Sequence, residues 1–200
     1  MKKRDSISYY DSQAKEISGQ YERLEMSFLM DVLIKHFRNA KRVLEIGSGS
    51  GRDAAYLMRE GFVITGLEGS VAMIREAEKL HPELKGRILY AVLPDEWPRF
   101  EQPFEAMFSI ATLMHFPKEG IEKILRQCRN VLLPDSPVFI SVSGKREEKG
   151  TGRYFNEMGK DEWENVFRGT GYEIISVEEN NDVTGRKIRW YTFLLRTMEP

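Results

Sequence analysis

A mostly parallel α/β sandwich is the fold class the sequence predicts, with seven strands and an antiparallel pair at one edge. Three observations lead there. Short apolar, β-prone runs alternate with helical patterns from residue 42 to 143. A glycine-rich turn joins the first of these runs to the helix after it. Near the C-terminus two strand-like runs follow each other with no helix between them, as an antiparallel edge pair does.

The elements follow in chain order. Residues 1–25 are polar, with Tyr9, Tyr10 and Tyr21 scattered through weak helical patterning. Over 27–38, Phe28, Leu29, Val32, Leu33 and Phe37 recur at helical spacing and ask for burial on one side. The run 42–47 reads as a buried parallel strand stopped by glycine. The spacing predicts a helix over 51–60, capped by Gly61, and a second strand over 62–67. A helix over 71–80 ends at His81-Pro82, and a third strand covers 87–93. A charged, proline-rich loop fills 94–103 before a strand at 104–111. The helix at 118–133 gathers Ile121, Ile124, Leu125, Cys128, Val131 and Leu132 on one face, and a fifth strand runs over 137–143. Then come a basic loop at 144–159, a short helix at 161–169, and strands at 172–178 and 187–196 around Asn180-Asn181-Asp182. One domain is expected, divided into an N-terminal cap and helix (1–38), a core (40–145) and a closing segment (146–200).

Composition narrows the function. Lys+Arg number 30 and Asp+Glu 31, a balance that disfavours a nucleic-acid binder needing a basic surplus. A hydrophobic share of 41% supplies a core and excludes global disorder. One cysteine rules out an intramolecular disulfide, and three dispersed histidines give no metal site. No apolar run approaches a membrane span, and the charged start lacks the apolar stretch of a signal peptide. A soluble, cytoplasmic chain is expected.

The chemistry concentrates in Val43-Leu-Glu-Ile-Gly-Ser-Gly-Ser-Gly-Arg-Asp53. Glycines at a strand-to-helix turn admit positive φ and let a ligand lie against the backbone. The helix start adds free N–H donors and partial positive charge. Gly47-x-Gly49-x-Gly51 lacks the Gly-x-Gly-x-x-Gly spacing of a dinucleotide site, and Arg52-Asp53 replaces the Lys-Ser/Thr of a phosphate-binding loop. Glu45, two residues before the first glycine, suits an ammonium or amide partner better than a pyrophosphate.

Glu45-Ile-Gly-Ser-Gly-Ser-Gly51 resembles the first motif of the class I S-adenosylmethionine-dependent methyltransferases, and Gly66-Leu-Glu68-Gly-Ser70 resembles the second. The resemblance spans roughly residues 40–145 and extends more loosely through the last strand pair. It implies a Rossmann-like fold, S-adenosylmethionine as cofactor and S-adenosylhomocysteine as product. On this basis Glu45, Gly47, Ser48, Gly49, Gly51 and Arg52 surround the methionine moiety, with Arg52 a candidate for its carboxylate. Glu68 takes the ribose hydroxyls, beside Gly69 and Met73. Leu93 flanks the adenine and Asp95 bonds its amino group, although proline stands where the family usually has an acid. Ser109 lies on the fourth strand. The strand exit through His115 matches the family's apolar-x-His pattern, and Leu132-Leu-Pro-Asp-Ser-Pro137 replaces its usual Lys-Pro-Gly-Gly turn.

His115 is the candidate general base, at the carboxyl end of a parallel strand where ligands bind; a packed histidine shaping the cavity is the plainer reading. Tyr9, Tyr10 and Tyr21 are candidate lid residues over the sulfonium, with Tyr10 also a candidate catalytic residue and Tyr21 a candidate acceptor contact; docking of this segment onto the sheet is the plainer reading. Arg153, followed by Tyr154-Phe155, together with Arg189 and Trp190, are candidate acceptor contacts; Arg186 shares that position, and an edge-strand surface is the alternative. Cys128 reads as core. The run Lys145-Arg146-Glu-Glu-Lys149 reads as a solvated loop. A small acceptor, methylated on O, N or S, is the favoured expectation, because the core has no appended recognition domain. The alternatives are an RNA or protein methyltransferase, a non-catalytic cofactor-binding module, and a nicotinamide-linked oxidoreductase that the glycine spacing disfavours.

Overall fold

The computed structural model describes the backbone from residue 3 and side chains from residue 6, through 144, then 152–182 and 184–198. The run Lys145–Lys149 lies outside the described residues. The chain begins with two helices, α1 (Lys3–Tyr21) and α2 (Ser27–His36). It continues through β1 (Arg42–Ile46), α3 (Arg52–Arg59), β2 (Val63–Glu68), α4 (Val71–Leu80), β3 (Ile88–Tyr90) and β4 (Ala106–Ile110). The remaining elements are α5 (Lys118–Val131), β5 (Pro137–Ser143), α6 (Lys160–Gly169), β6 (Tyr172–Asn181) and β7 (Arg189–Thr197). The strands form one seven-stranded sheet in the order β3-β2-β1-β4-β5-β7-β6. All pairs are parallel except those that β7 makes with β5 and β6.

Side-chain alternation builds two cores, one on each face of the sheet. Leu44, Ile46, Met107, Val138 and Ile140 join one apolar cluster, while Val43, Ala106, Phe108 and Phe139 join the other. The helices bury the faces their spacing predicts: Ile121, Ile124, Leu125 and Cys128 of α5 are fully buried. Each such side chain contributes on the order of 1.5–3 kcal/mol. α4 starts at Ser70, whose hydroxyl accepts from the Met73 amide at 3.1 Å. No helix among the described residues is long and apolar enough to cross a membrane.

Two elements differ from expectation. β3 spans three residues and stops at Tyr90, because its partner β2 ends at Glu68 and the bond from the Ala91 amide to the Glu68 carbonyl is the last the ladder offers. Leu93 therefore lies beyond the strand. β6 continues through Asn180-Asn181, which pair with Trp190 and Arg189 instead of forming the turn. β1 pairs with β2 on one side and β4 on the other, so the order in which strands are added reverses there. That switch point opens a crevice at the carboxyl ends of the strands.

Candidate active site

The glycine turn after β1 is built from three left-handed residues, with φ of 80° at Gly47, 55° at Gly49 and 78° at Gly51. Packing dictates two of them. A Cβ on Gly47 would fall 2.1 Å from Thr112 Oγ1, and one on Gly51 would fall 2.4 Å from Leu84 Cδ1. At Gly49 the nearest atom to such a Cβ is 3.7 Å away, on the Tyr21 ring, so its backbone faces open cavity.

Glu68, the last residue of β2, turns back toward this loop. Its Oε2 accepts from the Gly49 amide and its Oε1 from the Ser70 amide, both at 2.9 Å. Burial raises its pKa against those amides. Each oxygen keeps a second lone pair for a ligand hydroxyl. Glu45 is buried on β1, and burial pushes its carboxyl up to about 8 against the opposing pull of the Ser48 hydroxyl. Glu45 Oε2 and Ser48 Oγ are both buried without a well-formed hydrogen bond. Two such polar atoms beside an open glycine backbone suit a zwitterionic ligand end.

Ser48, Gly49 and Glu68 line one cavity of about 810 Å³, within the roughly 300–1,000 Å³ of small-ligand sites, and Glu45 is buried outside its lining. Gly47, Ser48, Gly49, Glu68, Gly69, Met73 and Leu93 all reach it. Gly51 stands just behind, in packed surroundings. Arg52 reaches the cavity, but its guanidinium holds Asp53 at 2.7 and 3.1 Å and donates to the Tyr21 carbonyl at 2.7 Å. Its donors therefore fasten α3 to the end of α1. Asp95 lies away from the cavity walls, with a side chain 69% exposed and paired with Lys123. Ser109 faces the sheet interior and donates to the Ile46 carbonyl at 3.1 Å. Arg189 points outward onto Glu179.

At the acceptor end, a short 3₁₀ turn after β4 presents His115. Its Nδ1 lies 2.7 Å from the Tyr154 carbonyl, which can only accept, so the proton is assigned to Nδ1. That leaves the Nε2 lone pair to accept from the Tyr10 hydroxyl at 3.1 Å. Tyr21 Oη lies 3.5 Å from Tyr10 Oη, and burial, then Tyr10, raises its pKa well above the usual value. α1 thus brings Tyr10 and Tyr21 over the carboxyl ends of β1 and β4, beside the glycine turn. Arg153 comes to the same cluster from the segment after β5.

Sequence reasoning missed several wall residues. Ser141 and Thr192 oppose each other across β5 and β7 and both line the cavity. Their signal is a small polar residue on an otherwise apolar strand, and it becomes legible once the register is known. Asp182 gathers Arg186, Thr184 and Trp190 Nε1 around one buried carboxylate, whose pKa is lowered chiefly by its bond to Arg186 against the cost of burial. Arg186 and Trp190 line the cavity from that hub. Asp11 on α1 accepts from Ser70 Oγ at 2.6 Å and the Ala72 amide at 3.2 Å. Among the described residues no group of His, Cys, Asp and Glu is arranged to hold a metal ion.

A turn of left-handed glycines, an acid ending β2 and a crevice at the switch point define a nucleotide-type site in the Rossmann-like class. Residues 43–135 match the family model of the methyltransferase domain. That match covers a little under half of the chain. It is 24% identical over 137 residues to an uncharacterised methyltransferase of Oceanobacillus iheyensis, covering 67% of this chain and 58% of that one. It is 31% identical over 124 residues to a protein-L-isoaspartate O-methyltransferase of Chlorobaculum parvum, covering 59% and 55%. The chain thus spans little more than half the length of these curated relatives. In fold it resembles a 1,6-didemethyltoxoflavin-N1-methyltransferase of Burkholderia thailandensis, solved with its substrate and S-adenosylhomocysteine. The TM-score is 0.79 at 18% identity, covering 96% of this chain and 87% of the other.

Proposed function

We propose that the chain transfers a methyl group from S-adenosylmethionine to an oxygen, nitrogen or sulfur nucleophile of a small molecule. The observation that carries this reading is the single cavity joining the glycine turn and Glu68 to the His115–Tyr10 pair. The relatives are methyltransferases, one of them a protein-L-isoaspartate O-methyltransferase, and the fold neighbour is a 1,6-didemethyltoxoflavin-N1-methyltransferase, which supports the small-molecule reading.

The residues fit the cofactor. Glu68 would take the ribose hydroxyls, the Gly47–Gly49 backbone would lie under the methionine portion beside Glu45, and Leu93 would flank the adenine. When bound, S-adenosylmethionine supplies an electrophilic methyl group, so the protein need not activate the donor. The chain's own work is to orient the acceptor and exclude water. Tyr10 and Tyr21 close the cavity from α1. His115 Nε2, with its proton-bearing Nδ1 held by the Tyr154 carbonyl, is positioned to take a proton from an acceptor hydroxyl or ammonium, directly or through Tyr10.

Calorimetric titration with S-adenosylhomocysteine tests the reading, with Gly49→Arg as control. Saturable binding by the wild type and none by the variant is expected. Heat from a nicotinamide dinucleotide and none from S-adenosylhomocysteine would overturn it.

A further inference from the structure

Arg52 and Arg153 are the partly buried arginines of the cavity wall, and Arg153 has no counterion among the described residues. Arg52 is neutralised by Asp53 and Arg186 by Asp182. Arg186 and Arg23, the other two arginines of the wall, are exposed. Arg153 is half-buried, and its guanidinium carbon sits 5.1 Å from the Tyr9 ring centre, 6.0 Å from that of Tyr10 and 5.1 Å from that of Phe155. Its Nε is buried with no hydrogen-bond partner, and one terminal nitrogen reaches the Tyr10 hydroxyl at the long distance of 3.5 Å. A partly desolvated guanidinium with its Nε–H unpaired carries a cost. The aromatic faces offset part of that cost, but they cannot accept its in-plane hydrogen bonds. Arg153 lines the cavity, so its terminal N–H groups can bond what enters it.

We propose that Arg153 anchors a carboxylate on the methyl acceptor, so that the site takes small organic anions whose nucleophile lies a few atoms from that carboxylate. This rests on the methyl-transfer reading. The planar fork of a guanidinium matches a carboxylate with two parallel hydrogen bonds. A single cation with no counterion among the described residues balances one negative charge, whereas a phosphate monoester brings about two. The short separation comes from the chain of contacts. One phenol oxygen, Tyr10 Oη, bridges the guanidinium and His115 Nε2. An acceptor that bonds Arg153 while giving its proton to His115 must carry the two groups close together, as an ortho-hydroxy or ortho-amino carboxylate does.

The test uses protein loaded with S-adenosylhomocysteine and two matched probe pairs, salicylate with salicylamide and anthranilate with anthranilamide. Phenyl phosphate is a further arm. The wild type is expected to bind at least one carboxylate better than its carboxamide, and Arg153→Met to weaken the carboxylate by roughly 10- to 100-fold. Arg153→Lys is expected to recover part of the loss, with carboxamide binding unchanged. The comparison of carboxylate with carboxamide on the wild type needs no variant, so misfolding of Arg153→Met leaves the test intact. No preference for carboxylates, tighter binding of phenyl phosphate, or equal carboxylate binding by Arg153→Met would each overturn the proposal. So would a variant that loses S-adenosylhomocysteine but keeps methylthioadenosine, since the guanidinium would then serve the cofactor's own carboxylate. Failure of the wild type to bind S-adenosylhomocysteine at all would be a different result, counting against methyl transfer itself.

Discussion

Gly49 separates ligand demands from packing demands more cleanly than its neighbours. Alanine at Gly47 or Gly51 would collide with Thr112 or Leu84 and damage the fold along with any binding. Alanine at Gly49 meets no clash and bears only the left-handed strain of its φ of 55°, about 1–2 kcal/mol. Gly49→Ala is therefore expected to melt within several degrees of the wild type yet bind S-adenosylhomocysteine at least ~10-fold more weakly, which paired melting and titration would show. Glu45 supplies a pH signature. Its carboxyl titrates at about 8 when folded, against an ordinary 4.5 when unfolded. Between those values the folded chain holds a proton that the unfolded chain has released, so this group makes stability fall as pH rises through the window. The slope reaches about 1.4 kcal/mol per pH unit at most. Glu45→Gln should flatten that decline, and melting curves from about pH 5 to 8 would show no difference in slope if the carboxyl were already ionised.

At the scale of elements, the helices and strands from α2 to α5 were legible because each carries a period of its own, 3.6 or two residues. α1 was barely legible. Its apolar residues are few, and the bonds that fix it are polar and distant in sequence: Asp11 to the start of α4, Ser6 to the Tyr154 amide, and Glu22 to Ser50. The extent of β3 was overestimated because strand length depends on the partner, here ended at Glu68. The same distinction runs through the site. The glycine turn and Glu68 are local patterns, while Asp182, Ser141 and Thr192 reach the cavity through pairings between remote strands. Asp95 and Arg189 stand apart from the cavity because each is drawn to a surface partner of opposite charge, Lys123 and Glu179. α1 also makes a prediction at its own scale. Asp11→Ala removes its hold on the Ser70 hydroxyl and the Ala72 amide, a charge-assisted pair of order 1.5–3 kcal/mol at most. Hydrogen exchange should then show α1 opening more often, with S-adenosylhomocysteine leaving several-fold faster. Unchanged exchange and release would mean that Asp11 does not hold the helix closed.

Across the whole molecule, the fold places its two kinds of chemistry on opposite sides of one cavity. The parallel half of the sheet, from β3 to β4, ends in backbone amides and buried carboxylates suited to a nucleoside and an amino acid. The other side brings His115 from the turn after β4, and Arg153, Trp190 and the Asp182 hub from beyond β5, with α1 lying over both. The cavity, about 810 Å³, has the size of a small-ligand site, and the chain's net charge is −1. Both features favour a small acceptor over a nucleic acid. The most direct test offers S-adenosylmethionine labelled in its methyl group, together with purified protein, to the small-molecule, RNA and protein fractions of a cell extract. Label should appear in the small-molecule fraction. His115→Gln should lower that incorporation by at least ~10², the contribution of general base catalysis, while leaving S-adenosylhomocysteine binding intact. Label confined to RNA or protein, or equal transfer by the His115 variant, would contradict this reading.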